Sequence, residues 1–408
     1  MSKLLIKNVQ LINGVDDNVL ENASVLIEDG KFSEINPQSI DDSVETIDGK
    51  GQYLVPGFID SHVHLATEFQ PLDQKIAEPF SYNFFKSIEY ASRTINAGIT
   101  TVRDAYGADL GFKKAIEDEI IVGPRMVISV SALSITGGHG DSTNYSGIDV
   151  PLILPHPGLP SNIADGVEEV RKKTREILRA GADVIKVMAT GGVSTPTDHP
   201  KFTQYSKEEL EVIVEEASFR NGVKVMAHAQ GEEGIQQCLD AGIHSIEHGI
   251  YLSDKIIEQM RAQGTFLVPT LLAPVSVIEF AEELGVSEVG LKKSKEVLDV
   301  HVESFKKAHQ NGVKIAMGTD AGVFKHGTNL RELELMVEFG MTPMEAIIAS
   351  TKTAAECLEL ENVGQITPGY FADFVLLKEN PLENIGSLKD NDNILVVGKE
   401  GKVLKDIR

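Results

Sequence analysis

After Tyr53 the chain settles into a rhythm that few folds can accommodate: apolar runs of strand length alternate with longer amphipathic segments. The runs are the stretch through His62, then Thr100 to Arg103, Arg125 to Val130, Val184 to Met188, Val223 to Ala227, His244 to Glu247, Thr265 to Val268 and Lys314 to Met317. Between them lie helical patterns such as Ser87 to Ala97, Val167 to Ala180, Lys207 to Asn221 and Glu232 to Ala241. Several close on Ala-Gly or Asn-Gly, where glycine caps the last helical turn. Strand and helix repeated in this way give an α/β protein, and this many repeats predict a (β/α)8 TIM barrel from roughly residue 55 to 360. A doubly wound sheet is the alternative that periodicity alone leaves open.

The ends of the chain follow a different pattern. Leu4 to Ile12, Ala23 to Ile27 and Lys31 to Ile35 are short β-rich runs separated by Asn13-Gly14 and Asp29-Gly30, which are hairpin signals. Past Leu360, Phe374 to Leu377 and Ile394 to Val397 return to strand character. The two ends are expected to join in one small discontinuous β-sandwich side domain, residues 1–54 with 361–408, around a hydrolase barrel at 55–360. Two connections are longer than the rhythm requires, Ala132 to Ala164 and Leu271 to Leu291, and long loops at a barrel's rim are usually lids or substrate walls.

Charge and cysteine content narrow the function. A formal net charge of -23 repels nucleic acid and anionic membrane, and an anionic substrate would need a local basic patch. No run reaches the roughly 18 apolar residues of a membrane span, so a soluble cytoplasmic protein is expected. Cys238 and Cys357 are the only cysteines, each in a helical-looking segment, which excludes a disulfide framework and a thiolate metal site. Any metal must be held by imidazole and oxygen.

Polar residues stand where apolar barrel strands should simply stop. His62 and His64 share one face of an extended strand, Lys186 follows on the fourth, His228 on the fifth, His248 on the sixth and Asp320 on the eighth. Alone, His-x-His could be two solvated loop residues; six such groups would converge on one mouth. Asp183-Val184-Ile185-Lys186-Val187-Met188 puts an amine into a buried strand. Burial drives a lysine toward its neutral form, which can add carbon dioxide to form a carbamate with two metal-binding oxygens. The other reading is a lysine that snorkels out or pairs with a carboxylate. Imidazole and carboxylate donors suit zinc, manganese, cobalt or iron(II).

Phe58-Ile59-Asp60-Ser61-His62-Val63-His64, Ile185-Lys186, Met226-Ala227-His228-Ala229, Ile246-Glu247-His248-Gly249 and Gly318-Thr319-Asp320-Ala321-Gly322, taken in order, resemble the amidohydrolase superfamily across the whole chain. Ser134-Ile135-Thr136-Gly137-Gly138-His139 and Met188-Ala189-Thr190-Gly191-Gly192-Val193 resemble its prolidase-like, imidazolonepropionase-related branch, which includes Xaa-Pro or Xaa-Arg/Lys dipeptidases and carboxypeptidases. The resemblance implies two divalent ions, zinc first among the options, with His62, His64 and Asp320 on one, His228 and His248 on the other and carbamylated Lys186 bridging. It implies hydrolysis of the amide in a small dipeptide or N-acyl amino acid by a metal-bridging hydroxide. Asp320 would shuttle the proton and His139 would contact the carbonyl oxygen. A cyclic-amide hydrolase or deaminase of the imidazolonepropionase type is a second reading, from which Lys186 discriminates. A non-catalytic barrel kept for assembly is a third.

Substrate contacts are less marked. Lys325 and His326 follow Asp320 closely and could meet a substrate carboxylate, and His199 follows strand four. For Lys325 and His326 a solvated loop is an equal reading, and an exposed loop position is the alternative for His139 and His199. His156 and His244 read as structural, and Arg103 with Asp104 as a rim salt bridge. Neither Gly-Gly pair carries the Lys-Ser/Thr of a phosphate loop, so no nucleotide is expected. The partner is a small-molecule substrate, with self-association into a homo-oligomer also expected.

Overall fold

The computed structural model describes residues 3–41, 43–193, 198–283 and 286–408. Its first strands are β1 (Lys3–Ile12), β2 (Val19–Glu28), β3 (Lys31–Ile35), β4 (Glu45–Asp48) and β5 (Tyr53–Pro56). The middle of the chain supplies β6 (Phe58–Val63), β7 (Ile99–Asp104), β8 (Arg125–Ile128), β9 (Ala132–Leu133), β10 (Val184–Met188), β11 (Lys224–Ala229), β12 (Ser245–His248) and β13 (Phe266–Val268). The C-terminal end adds β14 (Phe374–Leu377), β15 (Ile394–Lys399) and β16 (Lys402–Asp406).

The two chain ends meet in one sheet ordered β16-β15-β14-β5-β1-β2-β3, with β4 also on β1. β1 and β2 form the expected hairpin, but the unit is not purely antiparallel, because β4 and β5 both lie parallel to β1. The expected sandwich is therefore one hydrogen-bonded sheet that forks. Asn8, at φ 57°, sits where β1 passes from one partner to the other. Leu4, Ile6, Val25, Phe32, Phe374 and Val396 fill a core of this unit distinct from the main one. Arg125 ties the unit to the rest of the molecule, with Nη1 2.5 Å from Asp373 and Nη2 2.7 Å from Glu400.

Two parallel sheets carry the strand-helix rhythm, one ordered β6-β7-β8 and the other β9 to β13 in sequence. Neither shows the reversal of strand order that defines a doubly wound sheet. The run Lys314 to Met317, read as the eighth strand, is not a regular strand. It is held instead by hydrogen bonds: Leu267 N donates to Lys314 O at 2.9 Å and Ser61 N to Met317 O at 2.9 Å. Single bridges pair Leu267 with Ile315 and Val63 with Ala321, so residues 314–321 lie between β13 and β6.

The helical patterns are realised within a few residues of expectation, as Tyr82–Asn96, Val167–Arg179, Lys207–Ser218 and Glu232–Asp240. Ser206 and Glu209 form a capping box at the start of the third, satisfying two otherwise orphaned N–H groups. Gly98 and Gly181 take φ of 91° and 96° just past their helices, a region open to glycine without steric cost. One long connection departs from expectation: Leu271 to Leu291 contains a helix, Leu272–Glu279, and the start of a second, Glu288–Gln310. Among the described residues no helix is long and apolar enough to cross a membrane. Cys238 and Cys357 are buried and free.

Candidate metal centre

The six residues singled out at strand ends are brought close together. His62 is the last residue but one of buried β6, and His64 lies just past the strand's end; their ring centroids are 5.6 Å apart. Both reach one carboxylate oxygen, Asp320 Oδ1, which is 3.0 Å from His64 Nε2 and 3.4 Å from His62 Nε2. Lys186 Nζ, on β10, is 3.4 Å from the same His62 Nε2. His248, at the end of β12, is 5.2 Å from the His62 ring and 4.6 Å from that of His228 on β11. His62, His248 and Asp320 each bring a ligand atom within 4.8 Å of the others. That trio cuts across the division between two ions implied by resemblance, as it would in a compact cluster whose sites adjoin.

Each imidazole is anchored on one nitrogen. His62 Nδ1 lies 2.7 Å from Glu247 Oε2, and a carboxylate can only accept, so the proton sits on Nδ1 and Nε2 keeps its lone pair. His64 Nδ1 is 3.2 Å from Tyr106 O, His228 Nε2 is 3.1 Å from Gly191 O, and His248 Nδ1 is 2.7 Å from the Thr270 hydroxyl. Outer partners of this kind fix tautomer and ring orientation in metal-binding histidines. The donor set fits divalent ions on that ground: four oriented imidazoles, a carboxylate and a buried amine, with no thiolate.

Electrostatics favour the ligand-competent form at three of the four imidazoles. Burial drives His62 well below the usual imidazole range, and the Lys186 charge adds to it. Burial likewise depresses His228, helped by His139, and His248, helped by His62. Neutral imidazole is the form that binds a cation. Burial also lowers Lys186 to about 8, against the opposing pull of Glu247 and Asp320. Burial alone would raise Asp320, but His62, His64 and Lys186 outweigh it and hold the carboxyl below its ordinary value. Burial is the largest influence on His64 and lowers it, but the bond to Asp320 and the charges of Asp320 and Asp104 together outweigh it and move His64 up.

Several residues behind this cluster carry no functional reading from sequence. Arg103, expected in a rim salt bridge with Asp104, is buried at 1% exposure and crosses the interior. Its Nε donates to Ser61 O at 2.7 Å, its Nη1 to Ser245 Oγ at 3.2 Å and its Nη2 to Glu247 Oε1 at 2.8 Å. Asp104 instead accepts from the backbone N–H groups of Leu65, Tyr106 and Ala108, fixing the turn past His64. Asp60 accepts from His62 N, Thr319 N, Thr319 Oγ1 and Asn329 Nδ2, which ties the His62 strand to the Asp320 turn. His248 and Asp320 both hold φ near +70°, at 71° and 65°, a region costly for residues with a side chain. His301, 2.9 Å from His248 O, buttresses the first of these.

The expected substrate contacts are spread more widely. His139 joins the cluster, stacked on His228 with centroids 4.3 Å apart. His199 is half-buried and accepts from Lys201 N. Lys325 is exposed and pairs with Glu283. His326 does not face outward: it is buried, stacked on Tyr90 at 5.2 Å, with Nε2 2.9 Å from Thr67 O. His156 packs against Phe84, and His244 Nε2 is 3.0 Å from Cys357 O, both structural as expected.

Polar side chains gathered at the carboxyl ends of parallel strands, with helices between, define an α/β enzyme whose chemistry sits at that rim. The chain belongs to the amidohydrolase family, whose model matches residues 53–404. It is thereby a hydrolase of amide-type C–N bonds. It is 37% identical over 369 residues to ochratoxinase of Aspergillus niger, covering 86% of this chain and 75% of the relative. A solved Xaa-Pro dipeptidase with methionine in its active site superposes with a TM-score of 0.89 at 34% identity, covering 99% of this chain and 100% of the other. A prolidase solved with N-methylphosphonate-L-proline gives a TM-score of 0.91 at 32% identity, with 100% of both chains covered.

Proposed function

We propose that the chain is a binuclear metal-dependent amidohydrolase that cleaves the amide of a small dipeptide or N-acyl amino acid, in the manner of a prolidase or carboxypeptidase. The observation that carries the reading is the set of four anchored imidazoles around Asp320 and Lys186. On this reading the two parallel sheets are parts of one eight-stranded barrel, with β8 and the two-residue β9 sharing the third position and residues 314–321 in the eighth. Residues 1–54 and 361–408 form the side domain. His62, His64 and Asp320 would hold one ion, His228 and His248 the second, and Lys186, as its carbamate, would bridge. Zinc is favoured, with manganese, cobalt or iron as options. When bound, such a pair supplies a water of lowered pKa and polarises the scissile carbonyl.

The chain's own residues do the rest. Asp320, already close to two imidazoles, takes the proton from the attacking water and returns it to the leaving nitrogen. His139 donates a hydrogen bond to the carbonyl oxygen as charge develops there. The substrate carboxylate is assigned to the loop after Asp320, with Lys325 exchanging Glu283 for it; His199 and His326 shape the surroundings. The likenesses to a dipeptidase and to a prolidase bearing a proline phosphonate support an amino-acid amide as the substrate. Two buried, free cysteines suit a reducing compartment, and the cytoplasm is the assigned location. Self-association remains part of the reading.

The test combines metal analysis with a substrate panel. Protein produced with added divalent metal is expected to carry about two ions per chain, since six donors exceed the needs of one tetrahedral ion. It is expected to hydrolyse members of a panel of Xaa-Pro dipeptides and N-acyl amino acids. One ion in fully active protein refutes the binuclear centre; two ions with no turnover across the panel refute the substrate class.

A further inference from the structure

Two glycine pairs singled out in the sequence meet in space around His139. A Cβ on Gly192 would lie 2.2 Å from His139 Cε1, so the ring occupies the place a side chain would take. A Cβ on Gly191 would lie 2.3 Å from His199 O, and one on Gly138 2.8 Å from Gln204 Oε1. Both Gly-Gly segments are thus pressed against the stretch that carries Asp198, His199 and Gln204. The ring is further bounded by His228, against which it lies at an interplanar angle of 20°.

Asp198 is the polar partner in this wedge. Its Oδ2 is 3.1 Å from His139 Nδ1 and accepts from Gly192 N at 3.2 Å and Gln204 Nε2 at 3.4 Å. Its side chain is 3% exposed. Gln204 completes the frame by accepting from His139 N at 2.9 Å through Oε1. Lys293 Nζ, from the long helix Glu288–Gln310, donates to Asp198 O at 2.6 Å and fixes the backbone there. A carboxylate buried to this degree is costly unless donors surround it. Here donors from three separate segments converge on Oδ2, and Lys293 Nζ stands 3.9 Å from Oδ1.

We propose that Asp198 is the positioning residue of His139. Its carboxylate accepts from Nδ1–H, sets the plane of the ring and leaves Nε2 as the nitrogen directed to the scissile carbonyl. Gly192 is the companion of this arrangement, because any side chain there displaces the ring. The inference rests on the His139 role given under Proposed function, and it adds the residues that make that role possible.

A double-mutant cycle with a spectroscopic arm tests it on full-length, metal-loaded protein. His139→Ala is expected to lower kcat about 100- to 1000-fold, the cost of losing one donor to a developing oxyanion. Asp198→Ala is expected to lower kcat about 10- to 100-fold with little change in KM, the range typical of outer partners that orient a functional histidine. Asp198→Asn, which keeps an acceptor without the charge, is expected to recover part of that loss. The double variant should be no slower than His139→Ala, since groups acting as a unit are not additive. In ¹⁵N-histidine spectra, the His139 Nδ1 signal, identified by its loss in His139→Gln, should be that of a protonated nitrogen and should change in Asp198→Ala. Multiplicative losses in the double variant, or an Nδ1 signal indifferent to Asp198, overturn the proposal. If His139→Ala turns over normally while the Nδ1 signal depends on Asp198, the carbonyl role of His139 fails and the positioning by Asp198 stands.

Discussion

Glu247→Gln separates two jobs that one buried carboxylate performs. Glu247 is fully buried, with Oε2 on His62 and Oε1 receiving Arg103 at 2.8 Å and Ser245 at 2.6 Å. Glutamine has the same shape but offers one acceptor and an NH2 group. If the amide nitrogen faces Arg103, two donors oppose each other; if it faces His62, the ring must move its proton to Nε2 and lose the lone pair offered to a cation. Stability should fall by about 3 to 5 kcal/mol, the usual result of stranding one member of a buried ion pair. Metal affinity should fall about 10- to 100-fold, or about 1.4 to 2.7 kcal/mol, through the lost orientation of His62. Arg103→Met added to Glu247→Gln removes the stranded charge, so stability should largely return while metal affinity does not. Urea unfolding of the metal-free variants and chelator-competition titrations read the two quantities separately. Wild-type metal affinity in Glu247→Gln, in protein that remains folded, refutes the claim that Glu247 orients His62.

Lys186→Met should abolish turnover yet stabilise the metal-free protein by about 3 kcal/mol at pH 7, from a lysine lowered from 10.5 to about 8. Below about pH 8 the ammonium is charged folded and unfolded alike, so burial is fully penalised; between about 8 and 10.5 only the unfolded chain stays protonated, and the advantage of methionine shrinks to nothing, as urea midpoints across pH will read. Carbamate formation on Lys186 requires the free amine. At fixed dissolved carbon dioxide its rate should climb about tenfold per pH unit up to about 8 and then level, measured by ¹³C incorporation; a flat profile refutes it. Asp320→Asn should lower kcat by roughly two to four orders of magnitude, with metal content measured beside the rate, and full metal with ordinary kcat removes Asp320 from proton transfer.

What could be read from the chain depended on whether a residue's signal was local. His62, His64, His228, His248, Lys186 and Asp320 each interrupt an apolar run, and a strand's geometry delivers such residues to one end of a sheet. The same reasoning applied to Arg103 after Val102 and to Glu247 after Ile246, yet their roles stayed hidden. A buried ion pair spanning 144 positions has no local signature, and charged residues at strand ends usually meet solvent. His326 failed in the opposite direction. Its place after Asp320 suggested the mouth, but Tyr90 and the Thr67 carbonyl, more than 200 positions away, draw it inward. The eighth strand was legible as a position between neighbours and not as a strand, since turns at Thr319 and Asp320 bend the backbone where the ladder would continue.

The net charge of -23 posed a difficulty for a substrate bearing a carboxylate, and the placement of Lys325 and His326 sharpens it, since one is paired and the other buried. A charge count over the centre itself offers the resolution. Arg103 and Glu247 cancel within their own pair, and His62, His228 and His248 are driven toward the neutral form by burial, while Asp320 draws His64 upward. Asp320, a Lys186 carbamate and a bound hydroxide would then carry three negative charges against the four positive charges of two divalent ions. The proposed centre is therefore a local surplus of positive charge in an acidic molecule, set behind strands that exclude water and at low dielectric, where a charge acts over a longer range than at the surface. Burial keeps His62, His228 and His248 neutral against the pull of an orienting partner such as the Gly191 carbonyl on His228. An anionic amide substrate would be drawn by the centre first and sorted by the surrounding loops second.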